Sequence, residues 1–260
     1  MKASELIKEL NEGATVPELT CDTVKAGNAE KEVKKIAVSM FATVDIIRKV
    51  KEWGADMLII HEPIFYNHLE IVSNETDVIR AKRALIEESG ILIYRYHDNM
   101  HYRDLDSISE GELHYLGLKG KLEKTQYFAS SVFISDDEVS ALELARRMKN
   151  DLGIAHPRIA GSLNAKGKRI AACFGTPNGV FELLQSDDVD IVLTGEICEW
   201  MLGEYARDAA ALGMNKALIV MGHIGSERDG MRLLVEKLNN KHADLDARYF
   251  ECGEVYSYVD

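Results

Sequence analysis

Two stretches of the chain repeat one another and indicate how it folds. Residues 34–62 read KKIAVSMFATVDIIRKVKEWGADMLIIHE, and residues 168–196 read KRIAACFGTPNGVFELLQSDDVDIVLTGE. The two stretches align without a gap at an offset of 134 residues, which places Glu62 on Glu196. Each is followed by a helical stretch and a further apolar run, ILIYRYH ending in His97 and ALIVMGH ending in His223. The pattern indicates an internal duplication with two similar lobes.

Short apolar runs alternate with helical patterns in the first half of the chain. The spacing predicts strands at 35–38, 57–60 and 91–96 and helices at 44–53 and 77–89. Gly54 and Gly90 follow the two helices and are expected to end them. Strand–helix–strand alternation predicts parallel strands with helices on the faces of the sheet. The expected fold class is therefore α/β, with two similar lobes of mixed sheets and flanking helices.

The second half resumes the same alternation after a polar connector, KGKLEKT, at 119–125. We place the boundary there and expect an N-terminal lobe at 1–120 and a C-terminal lobe at 121–260, with a metal site between them. The further elements expected are helices at 104–117, 137–152 and 226–240 and strands at 126–135 and 247–250. Ser135 or Asp136 is the expected N-cap of the helix at 137–152.

Composition excludes several classes of protein. The 260 residues can bury a sizeable core, and a formal net charge of −12 argues against nucleic acid as a partner. The apolar runs are far shorter than the roughly 20 residues of a membrane span, and the first residues lack a signal peptide's apolar core. We therefore expect a cytoplasmic protein with no membrane partner.

The four cysteines form no C-x-x-C pair and are expected to be free thiols.

His61 and Glu62 follow the strand expected at 57–60. Ligands of open α/β sheets bind at the carboxyl ends of the strands, where an imidazole nitrogen and a carboxylate oxygen could hold a metal. The alternative is an exposed pair in a loop. Phe65 stands where the second histidine of an H-E-x-x-H motif would be, so the zincin motif is absent.

Two further pairs follow apolar runs at a spacing of four residues, His97 with His101 and His223 with Glu227. This spacing places both side chains on one side of a helical turn. The alternatives are a solvent-facing histidine pair and, for Glu227, a carboxylate that merely favours the first turn of a helix. Asp98 could orient a ligand. Glu196, the repeat partner of Glu62, is a further ligand candidate, although a carboxylate at the start of a helix is the interpretation favoured for it.

The placement of several histidines at strand ends predicts a metal site more specifically than any single pair of residues does. Four of the eight histidines, His61, His97, His101 and His223, stand at or just after strand ends. The other four show no ligand spacing and are expected to be surface or structural residues: His68, His114, His156 and His242. Imidazole and carboxylate ligands suit divalent Zn, Fe, Mn or Co.

With these motifs the chain resembles the NIF-three-like dinuclear-metal family, the GTP cyclohydrolase type 2 homologues, in the short form without the inserted middle domain. The family's landmarks are His-His-Pro, His-Thr-Asn-x-Asp, Thr-Gly-Glu and Gly-His-x-x-x-Glu. Here they read HEP at 61–63, HDNMH at 97–101, TGE at 194–196 and GHIGSE at 222–227. Glu62 stands in place of a histidine and His101 in place of an aspartate.

The resemblance implies two divalent metal ions between the lobes and a ring-like homohexamer. Carried over by position, the metal ligands are His61, Glu62, His97, His101, His223 and Glu227. Glu62 and Glu227 are also the candidate catalytic carboxylates. The expected activity is metal-assisted hydrolysis of a small molecule, either a phosphate ester or a nucleotide with a purine-type ring. The alternative is a non-catalytic metal carrier, sensor or scaffold.

Overall fold

The computed structural model describes residues 1–259, which form eleven β-strands and nine α-helices. The strands are β1 (Val24–Ala26), β2 (Lys35–Ser39), β3 (Met57–Ile60), β4 (Leu92–Arg95), β5 (Gly120–Lys124), β6 (Ser131–Ser140), β7 (Arg158–Gly161), β8 (Lys166–Cys173), β9 (Ile191–Thr194), β10 (Ala217–Val220) and β11 (Asp246–Tyr249). The α-helices are α1 (Ala3–Leu10), α2 (Val44–Trp53), α3 (Asp77–Ser89), α4 (Asp98–His101), α5 (Ser107–Tyr115), α6 (Ala141–Asn150), α7 (Val180–Gln185), α8 (Glu204–Ala211) and α9 (His223–Lys241). A π-helical turn, Glu199–Gly203, precedes α8.

The contacts of the chain divide it into two compact units. Unit 1 comprises Met1–Arg103 and Met231–Gly253, and unit 2 comprises Asp104–Gly230 with residues 254–259. Residues 104–120 thus pack with the second unit and 231–253 with the first, whereas the sequence placed the boundary at 120. Unit 1 therefore takes its residues from two separate segments of the chain.

Unit 1 is built on a five-stranded sheet in the order β1-β4-β3-β2-β11. The strands are parallel except β1, which runs antiparallel to β4. All four residues of β3 and of β4 are buried, as expected for parallel strands covered on both faces. Ile46 of α2 packs in one apolar core with Leu58 of β3 and Ile93 of β4.

Unit 2 is built on a six-stranded mixed sheet in the order β5-β6-β8-β9-β10-β7. The central strands β8, β9 and β10 are parallel, and the outer strands run antiparallel to their neighbours. Leu184 of α7 packs with Val192 of β9 and Leu218 of β10 in a separate core. The α/β fold with mixed sheets and flanking helices, expected from the sequence, is confirmed.

The strand register supports the internal duplication. In unit 1, Ile36 of β2 lies opposite Met57 of β3, and in unit 2, Ile170 of β8 lies opposite Ile191 of β9. These partners are the residues that the gapless alignment at an offset of 134 pairs with one another. Because a slip of one residue would turn every side chain to the opposite face, the shared register indicates equivalent strands in both units.

Local signals place the ends of α2 and α3 where the sequence predicted them. The hydroxyls of Thr43 and Thr76 accept hydrogen bonds from backbone N–H groups in the first turns. Gly54 and Gly90 follow the helices with φ of 76° and 65°, a left-handed conformation that glycine adopts without steric cost. These caps satisfy backbone groups that the helix itself leaves without partners.

Two predicted boundaries in unit 2 were wrong. Residues 120–124, expected to be a connector, form strand β5, which pairs antiparallel with β6 from Gly120 to Lys124. Strand β6 runs on to Ser140, past a register shift, so α6 begins at Ala141 with Ser140 as its N-cap rather than Ser135 or Asp136. Backbone pairing with neighbouring strands outweighs the helix-like signal of the polar stretch at 135–138.

None of the helices within residues 1–259 has the length and apolar character that are needed to cross a membrane. The four cysteines are free, as expected, with Cys21 and Cys173 buried and Cys198 and Cys252 half-buried. Burial raises the pKa of the Cys173 thiol to about 12.

Candidate metal centre

The neighbouring strands β3 and β4 bring two predicted ligands to one edge of the unit 1 sheet. Ile60 lies opposite Arg95 in the parallel register, so both strands end at the same level. His61 follows β3 directly, and His97 stands two residues beyond β4. The two imidazole rings stack with their centroids 4.5 Å apart and an interplanar angle of 29°.

His101 joins this pair because the short helix α4 returns the chain to the same edge. Its ring centroid lies 4.8 Å from that of His97 and 5.1 Å from that of His61. The Nε2 atoms of His101 and His61 are 3.2 Å apart. One ring nitrogen of each histidine lies within 4.8 Å of the other two, and all three residues are buried. We call these three residues, His61, His97 and His101, the imidazole cluster.

Hydrogen bonding fixes the tautomer of His61. Its Nδ1 lies 3.0 Å from the backbone carbonyl of Tyr96, and a carbonyl only accepts, so Nδ1 donates and Nε2 keeps its lone pair. Burial, together with the neighbouring rings of His97 and His101, holds the pKa of His61 well below its usual range. His61 is therefore neutral, which is the form that binds a metal.

Asp98 orients the ring of His97. The Nδ1 of His97 donates to Oδ1 of Asp98 over 3.0 Å, which leaves Nε2 of His97 for a ligand. Burial acts to raise the pKa of Asp98, but hydrogen bonds from His97, from the Thr20 hydroxyl at 2.8 Å and from the Cys21 backbone at 3.1 Å outweigh it and lower the pKa. Asp98 is therefore a stable carboxylate partner, as the sequence suggested.

Asp22 holds the turn that carries His97 and His101. Its carboxylate accepts the backbone N–H groups of His97, Asp98 and Asn99 at 2.8–2.9 Å and the side-chain amide of Asn99 at 2.7 Å. These N–H groups begin α4 and have no partner within the helix. A residue 75 positions before His97 thus caps the short helix. No local sequence pattern predicts this contact, since Asp22 lies outside the helices and strands.

We expect Asp22→Ala to lower the free energy of unfolding of the metal-free protein by about 2–3 kcal/mol, because hydrogen bonds to a buried carboxylate are lost and N–H groups are left without a partner. Urea denaturation measures this change. Asp45→Ala is the matched control, because Asp45 stands in the first turn of α2 with an exposed side chain. Its loss should stay below about 1 kcal/mol. Equal losses in the two variants would contradict the capping role.

Arg95 connects Glu62 and the chain around His61. Its guanidinium is fully buried and donates to the carbonyl oxygen of His61 at 3.0 Å and to that of His68 at 2.6 Å. The carboxylate of the buried Glu62 lies 3.8 Å from the same guanidinium. Glu62 is therefore held as an anion partner beside the imidazole cluster rather than exposed in a loop.

Unit 2 contains the other predicted pair at the start of α9. The Nε2 of His223 lies 3.2 Å from a carboxylate oxygen of Glu227, and its Nδ1 lies 2.9 Å from Oε1 of Glu196. Each ring nitrogen of His223 thus faces a carboxylate: Nδ1 is oriented by Glu196, and Nε2 is turned toward Glu227, its predicted fellow ligand. The sequence placed Glu196 at the start of a helix, which was wrong, because the π-helical turn begins at Glu199 with Cys198 as its N-cap. The contact with Nδ1 of His223 instead identifies Glu196 as a carboxylate that orients this ring.

Gly175 leaves room for the carboxylate of Glu227. A Cβ atom at this position would lie 2.1 Å from Oε1 of Glu227, and the backbone φ of +65° also favours glycine. The N–H of Gly175 donates to Ser226 Oγ, which in turn donates to the carbonyl of His223. The backbone here therefore packs directly against the pair.

The structure thus brings three of the six predicted ligands into the imidazole cluster, with Glu62 next in sequence to His61, and pairs His223 with Glu227 in unit 2. Three imidazoles with carboxylates nearby are a donor set that suits a divalent transition metal. That all six residues hold two ions in one centre stays a prediction. Sequence reasoning missed four residues around the cluster: Cys21, Asp22, His68 and Arg95.

Comparison with known proteins identifies a family and several relatives of similar length. A family model described as Duf34/NIF3 (NGG1p interacting factor 3) matches residues 1–252. The GTP cyclohydrolase 1 type 2 homolog of Clostridium perfringens (strain 13 / Type A) is 26% identical over 238 residues, which cover 88% of this chain and 86% of that protein. The protein of the same name from Escherichia coli (strain K12) is 24% identical over 255 residues, or 96% of this chain and 98% of that protein.

Solved structures show the same fold. A protein described as "Structural genomics, protein ybgI, unknown function" superposes with a TM-score of 0.79 at 22% identity and covers 98% of this chain and 99% of its own. Reduced HcgD from Methanocaldococcus jannaschii gives a TM-score of 0.75 at 21% identity and covers 96% of this chain and 97% of its own. At these identities the likeness concerns the fold alone.

Proposed function

The chain belongs to the Duf34/NIF3 family, and from this membership and the imidazole cluster we propose that it is a metal-dependent hydrolase with a dinuclear centre. The observation that carries the proposal is the convergence of three buried histidines, His61, His97 and His101, within 4.8 Å. Histidine is a common metal ligand. Burying three polar imidazole rings costs free energy, and metal–nitrogen bonds would offset that cost.

The ligands that we assign are the six that the sequence predicted: His61, Glu62, His97, His101, His223 and Glu227. When bound, divalent ions of Zn, Fe, Mn or Co would act as Lewis acids and make water a nucleophile near neutral pH. The carboxylate oxygens of Glu62 or Glu227 are the proposed proton acceptors. Arg95 keeps Glu62 in place, and Glu196 and Asp98 orient the rings of His223 and His97.

The proposed substrate is a small molecule, either a phosphate ester or a nucleotide with a purine-type ring. The nucleotide is supported by relatives named GTP cyclohydrolase 1 type 2 homolog, at identities of 26% and below for those that align over most of this chain. The net charge of −12 disfavours a nucleic-acid substrate. A homohexamer and a cytoplasmic location are further proposals that rest on the family resemblance and on composition.

The test is a hydrolysis screen over phosphate esters and purine nucleotides with the metal-loaded protein. Activity should disappear on chelation and return when metal is added, and it should rise with pH through an ionisation near ~7 if the metal is zinc. We expect His61→Ala to lower kcat/KM at least about 100-fold, because it removes one of the three clustered ligands.

His114→Ala provides the control for this screen, because His114 is an exposed histidine outside the cluster. Its activity should equal that of the unaltered protein. A fully metallated protein that hydrolyses no member of the screen would contradict the hydrolase and favour a metal carrier, sensor or scaffold.

A further inference from the structure

A second group of metal-ligating side chains lies in unit 1 beside the imidazole cluster. Cys21, His68, His97 and Asp98 each present one ligand atom, and these four atoms lie within 4.8 Å of one another. The Sγ atom of Cys21 is 3.4 Å from Oδ1 of Asp98, and the same oxygen is 3.0 Å from Nδ1 of His97. Ligand atoms around one tetrahedral ion have similar separations, because each bond is roughly 2.0–2.3 Å long.

We propose that Cys21, His68, Asp98 and the Nδ1 side of His97 form a separate cation site, which takes a thiophilic divalent ion such as Zn²⁺. The thiol distinguishes it from the imidazole cluster, because a thiolate is a soft ligand that selects zinc over harder ions such as Mn²⁺ or Mg²⁺. The proposal does not rest on the hydrolase activity proposed above. We call these four residues the thiolate site.

The surroundings hold the ligands of this site in place. One oxygen of Asp98 accepts from the Thr20 hydroxyl and the Cys21 backbone, which leaves Oδ1 directed at the thiol and at His97. Cys21 and Asp98 are buried, whereas His68 is exposed and provides the side from which an ion can enter. The Nδ1 of His68 lies 3.3 Å from Arg95 Nη2, so an ion bound at that nitrogen would take the place of this contact.

His97 connects the thiolate site to the imidazole cluster. A neutral imidazole has one nitrogen lone pair, so His97 ligates through Nδ1 or through Nε2, and serves one ion at a time. The thiolate site therefore has three protein ligands while His97 serves the imidazole cluster, and four when it does not. As the sulfur–metal bond forms, the Cys21 thiol proton is released to solvent.

The experiment is a Co²⁺ titration of the reduced, metal-free, full-length protein without oxygen. A cobalt–thiolate bond produces a charge-transfer absorption in the near ultraviolet, which imidazole and carboxylate ligands do not. We expect this absorption in the unaltered protein and its complete loss in Cys21→Ser. His68→Ala, which changes an exposed residue and should fold normally, is expected to need at least about tenfold more Co²⁺.

Two controls separate this site from the other thiols and from the imidazole cluster. Cys198→Ser removes a half-buried thiol outside the thiolate site and should keep the absorption. His61→Ala should keep it too while losing the ion of the imidazole cluster, so a failure of the hydrolase proposal and a failure of the thiolate site remain distinguishable. Absence of the absorption at saturating Co²⁺, its persistence in Cys21→Ser, or an unchanged titration in His68→Ala would overturn the proposal.

Discussion

The His97→Ala variant is expected to bind less metal and to lose most of the stabilisation that metal gives the protein. His97 stacks on His61, lies close to His101, and is held in place by Asp98, so its removal opens the centre of the cluster. A metal that binds only the folded protein, at a free concentration of 100 times its Kd, stabilises it by about 2.7 kcal/mol. For a chain of this size the loss corresponds to roughly 5–10 °C in Tm.

The measurement is elemental analysis together with the Tm of each variant with and without metal. The difference between the two Tm values matters, because truncating a buried ring also destabilises the metal-free protein. His223→Ala, which removes the corresponding residue of unit 2, should lower metal content as well, whereas His114→Ala should match the unaltered protein. Unchanged metal content in both His97→Ala and His223→Ala would exclude these residues as ligands.

The Arg95→Met variant is expected to lose about 3 kcal/mol or more of unfolding free energy without any metal present. The guanidinium is fully buried, and its removal takes away the hydrogen bonds that it donates to the carbonyls of His61 and His68 and the positive charge beside Glu62. Breaking a buried ion pair on one side costs about 3–5 kcal/mol. Arg95→Lys should recover little of this, because an ammonium cannot reproduce the planar fork that reaches both carbonyls.

Urea denaturation of the metal-free variants measures this effect. Arg48→Met is the matched control, since Arg48 is exposed on α2 and its ion pair with Asp45 spans 3.5 Å on the surface. Surface changes of this kind stay within about 0.5 kcal/mol. If Arg95→Met and Arg48→Met lost the same stability, the buried guanidinium would not be what holds the 61–68 segment.

The parts of the fold that sequence predicted are those whose signals are local. The apolar spacing of α2 and the glycine at 54 predicted that helix and its end, and the structure adds Thr43 as its N-cap. Strand β5 was missed because its residues are mostly polar. It is held by backbone hydrogen bonds to β6, and backbone pairing leaves no pattern in the side chains of the sequence.

The residues of the candidate site also fall into those with a local sequence signal and those without one. His61, His97 and His101 could be predicted because each follows an apolar strand or stands one helical turn beyond, and parallel strands end at one edge. Cys21 and Asp22 could not, because they lie in an irregular segment and meet His97 and Asp98 only through the fold, 75 or more positions away. His68 was interpreted as a surface residue and is exposed, yet its ring packs 5.1 Å from that of His97.

The two-segment construction of unit 1 has a consequence for synthesis on the ribosome. The edge of β2 is covered by β11, and Asn239 of α9 hydrogen-bonds both the N–H and the carbonyl of Ala247 in that strand. A nascent chain that has emerged only as far as Arg103 carries His61, His97 and His101 but leaves the edge of β2 unpaired. Such an edge is a template for pairing with other chains. Unit 1 therefore completes its sheet only after β11 at 246–249 has been synthesised, and until then the edge of β2 stays open.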